Sequence, residues 1–155
     1  MKAIDILEAC RAAPAEIRAI EQRRQEYLET AEAMGRAPDL TGVSGGGSGD
    51  KTGSFATLAA DQARLKKVRQ ARMQAETKAA RKLLDHLPSE QSNVLHLYYI
   101  RGLTLNAIAL RKRISYSYVR RMKKSAEKTL EAFDGAELEA LLPKWYVLGK
   151  EPGRR

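Results

Sequence analysis

Between Val94 and Phe133 apolar residues return every three or four positions, and the pattern breaks only at Gly102 and at Arg113-Ile114. That is the helical period, and no segment of the chain alternates apolar and polar residues as a half-buried strand does. The chain is therefore expected to be all-α. Pro88 suits the first turn of a helix carrying Val94, Leu95, Tyr98 and Tyr99 on one stripe, and Gly102 sits where that helix should stop. Thr104 is placed to cap a short helix with Leu105, Ile108 and Ala109 inward, and Ser115 to cap a longer third helix. Three helices joined by turns this short describe a helix-turn-helix unit.

The third helix, 115–132, has two faces. Val119, Met122, Ala126, Leu130 and Phe133 make one apolar stripe, while Ser117, Arg120, Arg121, Lys124 and Lys128 fall on the other side. Burying the stripe would turn the basic face outward. In such a unit the third helix enters the major groove. The candidate DNA-binding residues are then Thr104, Ser115, Tyr116, Ser117, Tyr118, Arg120, Arg121, Lys124 and Lys128. Tyrosine and serine suit base edges or sugars, arginine suits guanine acceptors or phosphate, and lysine suits phosphate. The plainer alternative is an amphipathic helix whose charged side only keeps the chain soluble.

Charge supports the first reading. The net charge is +9, unevenly spread: residues 104–128 hold eight bases and Glu127 as their one acid, and residues 57–86 hold eight bases against three acids. Residues 1–34 instead hold five bases against seven acids. A block as basic as 104–128 attracts polyanions, although charge alone does not separate DNA from RNA or from an anionic membrane surface. No apolar run approaches the roughly 20 residues of a membrane span, and the N-terminus meets Asp5 before any long apolar stretch. Cys10 is the single cysteine and there are two histidines, so neither an internal disulfide nor a metal cluster is expected, and the cytoplasm is the expected compartment.

Ahead of this module the pattern is again helical. Ile4 to Ala12 can form a short helix, and Pro14 should then open a second one running to about Met34. Ile17, Ile20, Arg24, Tyr27, Ala31 and Met34 alternate spacings of three and four, which fits either a coiled-coil seam or an ordinary amphipathic helix. Gly35 to Ser54 reads as a flexible Gly/Ser-rich connection. Gly45-Gly46-Gly47-Ser48-Gly49-Asp50-Lys51-Thr52 almost spells a phosphate-cradling loop, but Asp50 replaces the glycine before lysine and no buried strand precedes it, so no nucleotide cofactor is expected. A long helix is expected from Phe55 to about Leu87, with Leu58, Leu65, Val68, Ala75, Ala79 and Leu83 as its sparse apolar positions. It needs a partner, and the acidic first segment can supply one in an antiparallel hairpin.

From Leu87 to Ala126 the residues Leu87-Pro88, Gln91, Val94-Leu95, Tyr99-Ile100, Gly102-Leu103-Thr104, Ile108-Ala109, Ile114-Ser115, Val119 and Ala126 follow one known pattern without a gap. In these the chain resembles the fourth conserved region of sigma-seventy-class transcription initiation factors, a helix-turn-helix that reads promoter DNA. The order of helical part, polar loop, long helix and sigma-like module resembles phage regulators of the RinA and ArpU type. The resemblance implies a transcription regulator with double-stranded DNA as partner, RNA polymerase and a second copy of the chain as further candidates, and no membrane. Lys112 and Arg113 depart from the family, which prefers an apolar residue and a glycine there. A differently shaped turn, with Leu110 filling the apolar pocket, is the expected accommodation.

The expected layout is thus a hairpin over 1–86 with its loop at 35–54, the module over 87–133, and a short helix and tail over 134–155. Asp134-Gly135 should end the third helix, and Trp145, Tyr146, Val147 and Leu148 should either pack on the module or form a partner-binding peptide. A small terminase subunit, which delivers DNA for packaging as a ring, also combines these parts and is the alternative. An enzyme is not expected, because no nucleophile, paired carboxylates or metal-ligand spacing converge.

Overall fold

A computed structural model describes residues 1–36 and 48–153. Helices follow in the order α1 (Ala3–Arg36), α2 (Ser48–Leu84), α3 (Ser89–Leu95), a π-helical stretch (His96–Ile100), α4 (Leu105–Lys112), α5 (Tyr116–Leu130), α6 (Gly135–Ala140) and α7 (Lys144–Val147). No strand occurs among the described residues, as the unbroken helical period required. The chain divides into two compact units, one of Met1–Pro14 with Ala71–Arg155 and one of Ala15–Gln70.

Expected divisions at 86/87 and 133/134 do not coincide with these units, and the core of the first unit shows why. Ile6, Leu7 and Cys10 of α1 and Ala80, Leu83 and Leu84 of α2 are buried with Leu95, Ala126, Leu130 and Leu138 in one cluster. A second cluster joins Val94, Leu97, Ile108, Ala109, Val119 and Met122, where α3 and α4 pack against α5. The helix-turn-helix is therefore roofed at one end by residues from the start of the chain. The capping box of Asp134 and Glu137 opens α6, a helix start that the reading of Asp134-Gly135 as a break did not include. α7 adds a turn that periodicity did not reveal. There Tyr146 and Val147 pack on the core, and the Tyr146 hydroxyl donates to Glu76 Oε1 at 2.7 Å, while Leu148 stays 64% exposed.

In the second unit α1 and α2 run antiparallel, with Glu16 paired to Arg69 at 2.5 Å, Glu21 to Lys66 at 3.2 Å, and the Tyr27 and Phe55 rings 6.2 Å apart. The seam of Ile17, Ile20, Arg24, Tyr27, Ala31 and Met34 is half-buried throughout. Across from it α2 presents Phe55, Ala59, Gln62, Lys66 and Arg69, again at alternating spacings of four and three. Leu58 and Leu65 are exposed, contrary to expectation. The helix is phased so that Lys66 and Arg69 meet the acids of α1, and that turns the two leucines outward.

Two further expectations fail. α1 passes through Pro14 without a break, although proline inside a helix removes a hydrogen bond and costs about 3 kcal/mol. Ile6, Leu7, Cys10 and Ala13 are all buried on the stretch before it, so packing offsets that cost. The connection read as Gly35–Ser54 is shorter, because α1 covers Gly35 and α2 begins at Ser48. Gly42, Gly45, Gly46 and Gly47 lie outside the described residues, so the first three residues of the near-miss phosphate loop do too, while its remainder falls within α2.

Candidate nucleic-acid interface

The geometry of α5 begins with the turn before it. Thr104 caps α4 by accepting a hydrogen bond from the Ala107 amide at 3.1 Å, and Ser115 caps α5 by accepting from the Tyr118 amide at 3.2 Å. Both residues sit where the sequence placed them, with their hydroxyls committed to the helix starts. Between them Arg113 takes the left-handed conformation at φ 56°, ψ 45°. Its amide donates to the Leu110 carbonyl at 3.3 Å and the Ile114 amide to the Ala109 carbonyl at 3.1 Å, which is a Schellman ending. The expected reshaping of this turn is therefore wrong. Arg113 adopts the glycine conformation, Leu110 is 81% exposed, and Ile114 packs against the apolar cluster in its place. A Schellman motif calls for an apolar residue at the second position past the helix, and that position is 114.

α5 then divides its faces as its spacing demands. Val119, Met122, Ala126 and Leu130 are buried. Tyr116, Ser117, Tyr118, Arg120, Arg121, Lys124 and Lys128 are exposed, and the first part of this face forms a shallow depression lined by Tyr116, Ser117, Arg120, Arg121 and Lys124. The Arg121 guanidinium lies 6.0 Å from the Tyr118 ring centroid, at the outer edge of a cation–π contact. None of Arg120, Arg121, Lys124 and Lys128 has an ion-pair partner among the described residues. Lys123 makes the contrast clear. It pairs with Glu127 at 2.6 Å and lies 4.7 Å from the Tyr98 ring centroid, on the inner side of the helix.

Residues 83–131 match the family model described as Sigma-70, region 4. That span is a DNA-binding helix-turn-helix. The match covers 49 of the 155 residues and starts at Leu83, inside α2 and before the Pro88 boundary. No curated protein and no solved structure matches the chain.

Around the sigma region 4 domain several supporting residues escaped the sequence reading. Tyr99 donates to Glu127, and burial, with that hydrogen bond second, pushes its phenol well above the usual range. Its hydroxyl thus stays a donor that fixes α5 on the π-helical stretch. His96 is half-buried, and burial, then Arg81 and Arg101, lowers its pKa below the ordinary 6.5. It is held neutral beside two guanidiniums. His86 packs edge-on against Phe133 with centroids 5.0 Å apart. The signal that could have pointed to Arg101 was its place beside Gly102, at the entrance to α4. No group of three or more metal-ligating side chains occurs among the described residues, and no helix there is long and apolar enough to cross a membrane.

Proposed function

We propose that the chain is a phage-encoded, sequence-specific transcription regulator that lays α5 in the major groove of double-stranded DNA. The observation that carries this is the division of α5, with a buried stripe from Val119 to Leu130 and unpaired cations along the outer face. Such cations, presented by a capped helix after a short turn, suit phosphates and guanine edges. In this reading the paired α1 and α2 of the second unit act as a coiled-coil arm. RNA polymerase or a second copy of the chain is its further partner, the host cytoplasm is its place of action, and the chain performs no catalytic step.

Selection of bound duplexes from a random pool, followed by footprinting, tests the reading. A recurrent motif protected across one major-groove face is the expected result. Recovery of unrelated sequences with no protected motif would overturn it.

A further inference from the structure

A second basic surface lies on the last turns of α2, outside the span matched to sigma region 4. Lys78, Arg81 and Lys82 are exposed there and line a shallow groove with Gln74, Thr77 and Asp85. None of the three cations has an ion-pair partner among the described residues. Within the second unit the same helix treats its cations otherwise, pairing Lys66 with Glu21 and Arg69 with Glu16. Like charges three and four positions apart weaken a helix, so Lys78, Arg81 and Lys82 carry a local repulsion that a polyanion would relieve.

The surface also continues toward the helix-turn-helix. Arg81 and the exposed Arg101 both stand close enough to His96 to disfavour its protonation. Arg101 directly precedes Gly102, whose φ of +73° turns the chain toward Thr104 and α4. In a helix-turn-helix the first helix crosses the DNA backbone, so the entrance to α4 is where phosphates pass. We infer that Lys78, Arg81, Lys82 and Arg101 form a phosphate track for the DNA backbone flanking the segment read by α5. The inference rests on the proposed function in taking duplex DNA as the ligand and α5 as the helix that reads it. DNA is favoured over an acidic protein because the track belongs to the same compact unit as α5 and carries the same sign.

The test measures affinity against salt concentration for the full chain and a combined Lys78→Ala, Arg81→Ala, Lys82→Ala variant. The probes are a long random-sequence duplex and one trimmed to a single helical turn, about 10 base pairs. On the long duplex the variant should lose about tenfold in affinity and about two to three units of salt slope, one for each released contact. On the trimmed duplex the two proteins should differ by less than about twofold. Asp85→Asn, which removes the acid from the groove, should tighten binding to the long duplex by about twofold. Unchanged slope and affinity in the triple variant, with Arg121→Ala still weakening binding, would overturn the track and leave the role of α5 intact. Asp85→Asn with no effect would also count against the track, even if the triple variant failed to fold. Absence of any duplex binding by the unmodified chain would instead sink the proposed function.

Discussion

Arg11 of α1 donates a hydrogen bond to the carbonyl of Leu103 at 3.1 Å, across a sequence separation of 92. The same nitrogen donates to the Tyr98 carbonyl, and the guanidinium lies 3.8 Å from the Tyr98 ring centroid. Those carbonyls belong to the π-helical stretch and to the turn that leads into α4. A side chain from the start of the chain thus fixes the entrance to the helix-turn-helix. Arg11→Ala should destabilise the first unit by about 2–3 kcal/mol, since charged hydrogen bonds to partly buried carbonyls are the costly kind to lose. Urea unfolding should show this, while the folded fraction keeps its DNA affinity. Unchanged stability would mean that the contact is dispensable.

The same architecture predicts the behaviour of fragments. A piece spanning 87–142 lacks Ile6, Leu7, Cys10, Leu83 and Leu84, which cover Leu95, Leu130 and Leu138. It should lack a cooperative melting transition and bind hydrophobic dyes, whereas residues 1–14 supplied as part of the whole chain suppress both. A fragment melting as sharply as the whole chain would show that α1 is not needed for the core.

Arg113 offers a gain rather than a loss. A non-glycine residue at φ 56° carries a left-handed penalty of about 1 kcal/mol. Arg113→Gly should therefore raise stability by up to about 0.5 kcal/mol after the entropy glycine adds to the unfolded chain. A lowered melting temperature would show that the arginine side chain makes a contact worth more than the strain.

Local chemistry was the legible part of this fold. Thr104 and Ser115 announce helix starts because a cap needs only its own next few residues, and α5 declares its faces through one unbroken stripe. Leu110, expected in the apolar pocket, is instead exposed, because the choice depends on whether Arg113 accepts a left-handed backbone. That is decided by how Ile114 packs, not by the propensity of arginine. Pro14 within α1 and the outward Leu58 and Leu65 are likewise settled by partners far along the chain. Arg11 carried no sequence signal at all, since its acceptors are carbonyls and any residue supplies a carbonyl.

His96 should make stability depend on pH. Its folded pKa lies below the ordinary 6.5, through burial first and then Arg81 and Arg101, so the unfolded chain binds the proton more readily. Stability is then full above pH 6.5 and is lost as pH falls through that value toward the folded pKa. His96→Gln should flatten this part of the pH profile of unfolding. A profile identical to that of the unmodified chain would assign the dependence to other groups.

The sharpest test falls on α5 itself. Arg121 lines the depression near the start of the helix, and Lys128 is exposed two turns further on. If the helix enters the groove by its N-terminal end, Arg121→Ala should weaken binding to the selected sequence by about 1–3 kcal/mol and relax preference at one position. Lys128→Ala should weaken selected and unrelated DNA alike and lower the salt slope by about one unit. Val119 is fully buried, so Val119→Asp places an unpaired carboxylate in the stripe and should unfold the module, abolishing binding through stability. The contrast matters because a merely basic surface would treat Arg121 and Lys128 as equivalent. Equal, small and purely salt-dependent losses for the two, measured by fluorescence anisotropy on both DNAs, would take α5 out of the groove.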